Sequence, residues 1–179
     1  NLARGLAIDT AFTDISAAMA SSSDFSPAAT TTFRDNSGDF NVIVGKAGNG
    51  VLQIDNGGIL EVANRFILGQ DATGIGYALL DGFGSTLTVR GSASEDDPAG
   101  TSSSHIGENG SGVFEITDQA VAVFQQGLTV GSKSVIQLSD GCSLTMGTGS
   151  TLTNNGLIIV GSGTVQIDGN IVNNGLILV

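Results

Sequence analysis

Few side chains in this chain are suited to chemistry. Its 179 residues include one histidine, one tyrosine, one cysteine and no tryptophan. His105 falls beside a Gly/Ser-rich stretch with no evident nucleophile, and Tyr77 stands alone, so no triad of nucleophile, base and orienting acid is assembled. Glu61 and Glu115 read as solvated strand residues. The outward positions aligned with Glu115 are Gln53, Leu79, Gln137 and Gln166, so no second carboxylate stands at the roughly 5–9.5 Å separation that glycoside cleavage uses. The chain therefore reads as a non-enzyme, and a polysaccharide-cleaving activity is the weakest of the functions weighed. The carboxylates leave one cofactor open. Asp55, Asp81, Asp118, Asp140 and Asp168 recur at one corner of a repeat, and Glu95, Asp96 and Asp97 cluster in an insertion. Stacked carboxylates repel unless a cation offsets them, and calcium takes such oxygen ligands. The competing readings are a plain acidic edge and a solvated insertion. The single Cys142 excludes an internal disulfide and a cysteine metal cluster. Its aligned neighbours Gly58, Ser85 and Ala120 make it a small residue tucked at a corner.

The elements that must carry these residues are short β runs in a repeated order. Gly50-Val-Leu-Gln-Ile-Asp55, Gly76-Tyr-Ala-Leu-Leu-Asp81, Gly112-Val-Phe-Glu-Ile-Thr117, Ser134-Val-Ile-Gln-Leu-Ser139 and Gly163-Thr-Val-Gln-Ile-Asp168 align as one strand. A second strand repeats as Ile59–Val62, Thr86–Val89, Val121–Phe124 and Ser143–Met146. A third repeats as Val42-Ile-Val-Gly45, Phe66-Ile-Leu-Gly69, Leu128-Thr-Val-Gly131 and Ile158-Ile-Val-Gly161, with His105-Ile-Gly107 beside them. Side chains alternate across a strand, so pairs such as Leu52/Ile54 and Phe114/Ile116 line one face and the residues between them the other. Asn-Gly and Asp-Gly corners also fit an antiparallel meander, but like strands matching like favours coils stacked in parallel. The expectation is an all-β chain: a parallel β-helix of about six three-strand coils spanning 41–179, with a loop inserted at 90–104. The Thr-Leu-Thr and Ser-Leu-Thr runs at Thr86, Ser143 and Thr151 resemble the threonine arrays of ice-binding solenoids but are missing from some rungs.

Residues 1–40 do not match the repeat. They predict a cap over the first coil or an arm reaching a neighbouring subunit, with either a short helix from about Ala11 to Ala20 or extended pieces. The net charge of −11 and only six scattered Lys and Arg residues argue against nucleic acid or an anionic membrane surface as partners. The 27 glycines sit at corners, and with 40% apolar residues in ordered columns the chain can bury a core. No run of about 20 apolar residues is present to form a spanning helix.

The alternation Val44-Gly-Lys-Ala-Gly-Asn-Gly-Val-Leu-Gln-Ile-Asp-Asn-Gly-Gly58, followed by Gly82-Phe-Gly-Ser-Thr-Leu-Thr-Val89, resembles the glycine-rich repeats of autotransporter passenger domains and PEP-CTERM-associated exported bacterial proteins. The resemblance covers about Asn41 to Val179. It implies a right-handed helix of coils and a secreted, cell-surface setting. Passengers of that type include adhesins, matrix components and enzymes. Asn155-Gly-Leu-Ile-Ile-Val160 is echoed by Asn174-Gly-Leu-Ile-Leu-Val179, a strand with no charge or proline to shield it. An exposed apolar strand is a template for another chain. The leading expectation is head-to-tail self-assembly into a filament or matrix. The interface residues would be Leu176, Ile177, Leu178 and Val179 on one side and Leu2, Leu6, Ile8 and Phe12 on the other. The alternative is an adhesin or carbohydrate-binding passenger fragment that contacts surface glycans.

Overall fold

The computed structural model describes residues 41–91 and 103–179, together with the backbone of three strands at 5–8, 12–16 and 30–33. Strands β1 (Gly5–Ile8), β2 (Phe12–Ser16) and β3 (Thr30–Phe33) form a first coil. Four coils follow: β4 (Asn41–Val44), β5 (Asn49–Asp55) and β6 (Ile59–Val62); β7 (Phe66–Leu68), β8 (Ile75–Asp81) and β9 (Thr86–Val89); β10 (Ser104–Ile106), β11 (Ser111–Thr117) and β12 (Val121–Phe124); and β13 (Leu128–Val130), β14 (Val135–Leu138) and β15 (Ser143–Met146). The last strands are β16 (Thr151–Asn154), β17 (Leu157–Val160), β18 (Gln166–Asp168), β19 (Asn170–Asn173) and β20 (Leu176–Leu178). Every third strand pairs in parallel, giving sheet A (β1-β4-β7-β10-β13-β16-β19), sheet B (β2-β5-β8-β11-β14-β17-β20) and sheet C (β3-β6-β9-β12-β15-β18). This is a parallel β-helix of six three-strand coils with two strands of a seventh.

Two sequence expectations change. The segment 1–40 is not wholly outside the repeat, because β1, β2 and β3 pair in parallel with β4, β5 and β6. Residues 12–16 are strand, which removes the helix reading there. The final runs also shift by one sheet. Thr151–Asn154 pairs with β13 and so occupies sheet A, which pushes Leu157–Val160 into sheet B and Gln166–Asp168 into sheet C. The cause is a change of coil length. Successive sheet A strands step by 24 residues from Leu128 to Leu152, but by 19 from Thr151 to Asn170.

The inward residues of the three sheets make one continuous core. Phe66 from sheet A, Phe114 from sheet B and Phe124 from sheet C meet in its middle, with ring centroids 5.8, 6.5 and 6.4 Å apart. All three are at most 1% exposed. Buried serines follow the corners, and each satisfies a backbone N–H of a preceding strand. Ser85 Oγ accepts from Gly57, Ser104 Oγ from Phe66 and Ser134 Oγ from Gly112, each at 3.0 Å.

The Asn-Gly and Asp-Gly signals build corners here, not hairpins. Asn56-Gly57 and Asp140-Gly141 both have positive φ and turn the chain from sheet B to sheet C. Each turn closes with a backbone bond, Gly58 to Asp55 at 2.8 Å and Cys142 to Ser139 at 3.3 Å. The next residue in each case tucks inward, so Gly58, Ser85, Ala120 and Cys142 are all buried, and burial pushes the Cys142 thiol up. At the opposite corner Gly69 has φ +62°, and a Cβ there would run into the Ser111 carbonyl of the next coil. The two coils approach as closely as they do because that side chain is absent.

Candidate functional site

The parallel register decides which chemistry-bearing residues meet. Asp55 and Asp81 are neighbours at the end of sheet B, but the next residues in that column are Thr117 and Ser139. Asp118 and Asp140 lie one position later, exposed in the turns. Asp168 lies on β18, in sheet C and not in sheet B. The five carboxylates expected to form one column therefore fall at three different places. Several have local donors: Gln53 and Asn56 amides donate to Asp55 at 2.5 and 2.9 Å, the Thr117 hydroxyl to Asp81 at 2.9 Å, and the Ser162 hydroxyl to Asp140 at 3.1 Å. Among the described residues no three His, Cys, Asp or Glu side chains stand together as a metal-holding group. Glu95, Asp96 and Asp97 lie outside the described residues, as does Leu2.

His105 is half-buried on sheet A, close to an ion pair between Arg65 and Glu108 at 2.5 Å. Burial lowers its pKa below 6.5; the Glu108 charge opposes that shift and the Arg65 charge adds to it. Arg65 Nε also donates to the Ser103 carbonyl at 3.1 Å, fixing the point where the insertion rejoins the coil. On sheet B the Tyr77 hydroxyl donates to Glu115 Oε2 at 2.7 Å. Burial first, then that hydrogen bond and the carboxylate charge, raises the Tyr77 pKa to about 12.

The expected C-terminal interface divides into two surfaces. On β20, Ile177 pairs with the inward Ile158, whereas Leu176 and Leu178 pair with the outward Leu157 and Ile159. Leu176 and Leu178, 53% and 46% exposed, thus belong to the flank of the rod and not to its end. The end itself is made by Ile171, which continues the inward Leu152 column and is 43% exposed, with Ile167 and Ile177 half-buried beside it. Val179 is fully exposed. On the opposite side Leu6 and Ile8 pair with the inward Val42 and Val44, while Phe12 pairs with the outward-column Val51.

Sequence reading missed a polar device at the end coil. Asn154, fully buried, donates to Asn173 Oδ1 at 2.7 Å and to the Leu176 carbonyl at 3.1 Å, and accepts from Gly156 N–H at 3.1 Å. Asn174 Nδ2 donates to Asn155 Oδ1 at 3.1 Å in a second ladder beside it. The signal was the doubled Asn-Asn-Gly at positions 154–156 and 173–175. Neither a family model, a curated protein nor a solved structure matches the chain.

Proposed function

We propose that this chain is a structural subunit of an extracellular filament or matrix, stacking end to end through the inward-facing residues of its last coil. One observation carries the reading: β18, β19 and β20 present outer edges that pair with no described strand, over a core end formed by Ile167, Ile171 and Ile177. The other ends of the same sheets are the outer edges of β1, β2 and β3, so a head-to-tail contact joins unlike surfaces and propagates as an open filament. Each junction would continue three parallel ladders at about 4.8 Å spacing. The resemblance of the repeats to autotransporter passengers and PEP-CTERM-associated proteins supports the cell-surface setting. The runner-up, an adhesin that contacts glycans through its insertion, draws support from the Arg65 clamp on Ser103.

Negative-stain microscopy and sedimentation of the purified chain test the stacking. Filaments with an axial repeat of about 30 Å, from six spacings between seven strands, are expected. Ile171→Lys or Ile177→Lys should shorten them to dispersed particles while thermal unfolding stays cooperative. Filaments of unchanged length in both variants would sink the proposal. Glycan-array binding that disappears when residues 92–102 are deleted would favour the adhesin.

A further inference from the structure

The outer face of sheet B is unusually apolar for a face turned to water. One outward column runs the height of the described rod as Val51, Tyr77, Val113, Val135, Leu157 and Leu176. The adjacent column adds Leu79, Ile159 and Leu178. Ile75 lies on the other side of the first column, 52% exposed. Parallel sheets are normally covered on both faces, and a contiguous apolar face of this kind marks an interaction surface. Its described charges are few: Asp55 and Asp81 at one margin, and Glu115, which is bonded to the Tyr77 hydroxyl.

We infer that this face binds the same face of a second copy, so that two rods lie side by side and parallel. Two arguments select that occupant. The first is area. The described face is six strands high and about four residues wide, so at ~4.8 Å per strand and ~3.3 Å per residue, with side-chain margins, it covers roughly 500 Å². Two copies bury about 1,000 Å² together, the lower limit for a specific interface. A second rod carries side chains at the same rung spacing, so contact is kept along the whole column.

The second argument is charge. A twofold axis parallel to the rods sets the Asp55 and Asp81 margin of one copy against the opposite margin of the other. That margin carries Asn49 and Ser111, whose groups can donate to carboxylates. A twofold axis along the strands would instead set acidic margin against acidic margin, which a chain of net charge −11 disfavours. The parallel arrangement also keeps the coil ends of both rods pointing the same way. The side-by-side contact stands on different residues from the end-to-end one and holds whether or not the rods stack.

Sedimentation of the end-blocked Ile177→Lys variant tests it. The expected mass is twice that of one chain, falling twofold when Val113→Lys is added. Val123→Lys, on the outer face of sheet C, should leave the doubled mass unchanged and controls for loss of fold. A single-chain mass for Ile177→Lys at every concentration would overturn the inference, as would a doubled mass that survives Val113→Lys. A short bismaleimide should bridge copies of an Asn49→Cys/Asp55→Cys variant; no bridging within a doubled species overturns the parallel arrangement. The two contacts fail separately: doubled particles without filaments in the unmodified chain refute the stacking alone, and single-rod filaments refute the lateral pairing alone.

Discussion

Replacing Phe114 by alanine strikes the one place where all three sheets meet. Its ring packs against Phe66 at 5.8 Å and Phe124 at 6.4 Å, the latter edge-on at 81°. The side chain is 1% exposed, and the coils around it are held by continuous ladders on both sides, so the site cannot collapse into the space left. A buried Phe→Ala change then costs about 3–5 kcal/mol. Phe114→Leu retains most of the volume and forfeits the two aromatic contacts, worth roughly 0.5–1.5 kcal/mol each. Val113→Ala, one residue away and facing outward, should cost under about 1 kcal/mol, because outward strand positions span only that range. Against a typical total of ~5–15 kcal/mol, these three values separate clearly. Urea unfolding followed by far-UV circular dichroism would rank them as Ala at 114, then Leu at 114, then Ala at 113. A loss below 1 kcal/mol for Phe114→Ala, or one equal to that of Val113→Ala, would show that the triad is not the keystone its geometry implies.

Further outcomes follow from individual sites. Gly69→Ala combines a left-handed backbone with a clash on the Ser111 carbonyl, so it should lower stability by more than the ~1–2 kcal/mol of the conformational term alone, and a neutral melting temperature would refute it. Tyr77 is the sole tyrosine, so absorbance near 295 nm reads its ionisation directly, with a midpoint near 12 expected and one near 10 refuting the buried pairing. Because its folded pKa lies above the unfolded 10, its contribution is complete below pH 10 and disappears as pH rises through 12; Glu115→Gln should lower the midpoint but leave it above 10, since burial is the larger cause. His105 shifts the opposite way, so stability should fall as pH drops below 6.5, and His105→Gln should flatten that slope in an acid titration of unfolding. Asn154→Ala leaves the Gly156 N–H without its acceptor and should cost about 1–3 kcal/mol, checked by thermal unfolding beside the exposed control Asn155→Ala.

The strands of the middle coils were legible in the sequence because period-two alternation and a glycine after each sheet A strand repeat there together. Leu52/Ile54, Phe114/Ile116 and Ile136/Leu138 all face inward as read. The reading slipped where that punctuation changed. In place of the glycine after Val130, the next coil has Asn155 after an inward Asn154, and Thr151-Leu-Thr imitates the sheet C run Thr86-Leu-Thr. One misassigned strand moved every later strand by one sheet. The first coil was hidden for a similar reason: β1, β2 and β3 are separated by longer stretches that break the spacing of the later coils. The apolar outer face of sheet B was invisible as a surface. Val113 and Val135 look like ordinary strand residues until the register stacks them between Tyr77 and Leu157.

Stability along such a rod is the sum of coil and interface terms, so burial sets an order of opening. Sheet B shows it most plainly: Ile136 and Leu138 on β14 are fully buried, Val160 on β17 only partly so, and on β20 the one inward residue Ile177 is half-buried. The 19-residue coil also holds fewer apolar residues, with the Asn154–Asn173 bond standing in the core column where Val130 stands one coil earlier. Hydrogen exchange should therefore be fast in β18, β19 and β20, slower in β16 and β17, and slowest in β8, β11 and β14, whose amides open only with the whole rod. Dilution discriminates further. If the end coil stacks on another rod, protection of β18 to β20 rises with concentration while that of β11 does not move. If only the flank pairs, raising concentration protects β20, where Leu176 and Leu178 face outward, less than Ile177→Lys disturbs it. Uniform protection from β8 to β20 at every concentration would contradict the burial gradient itself.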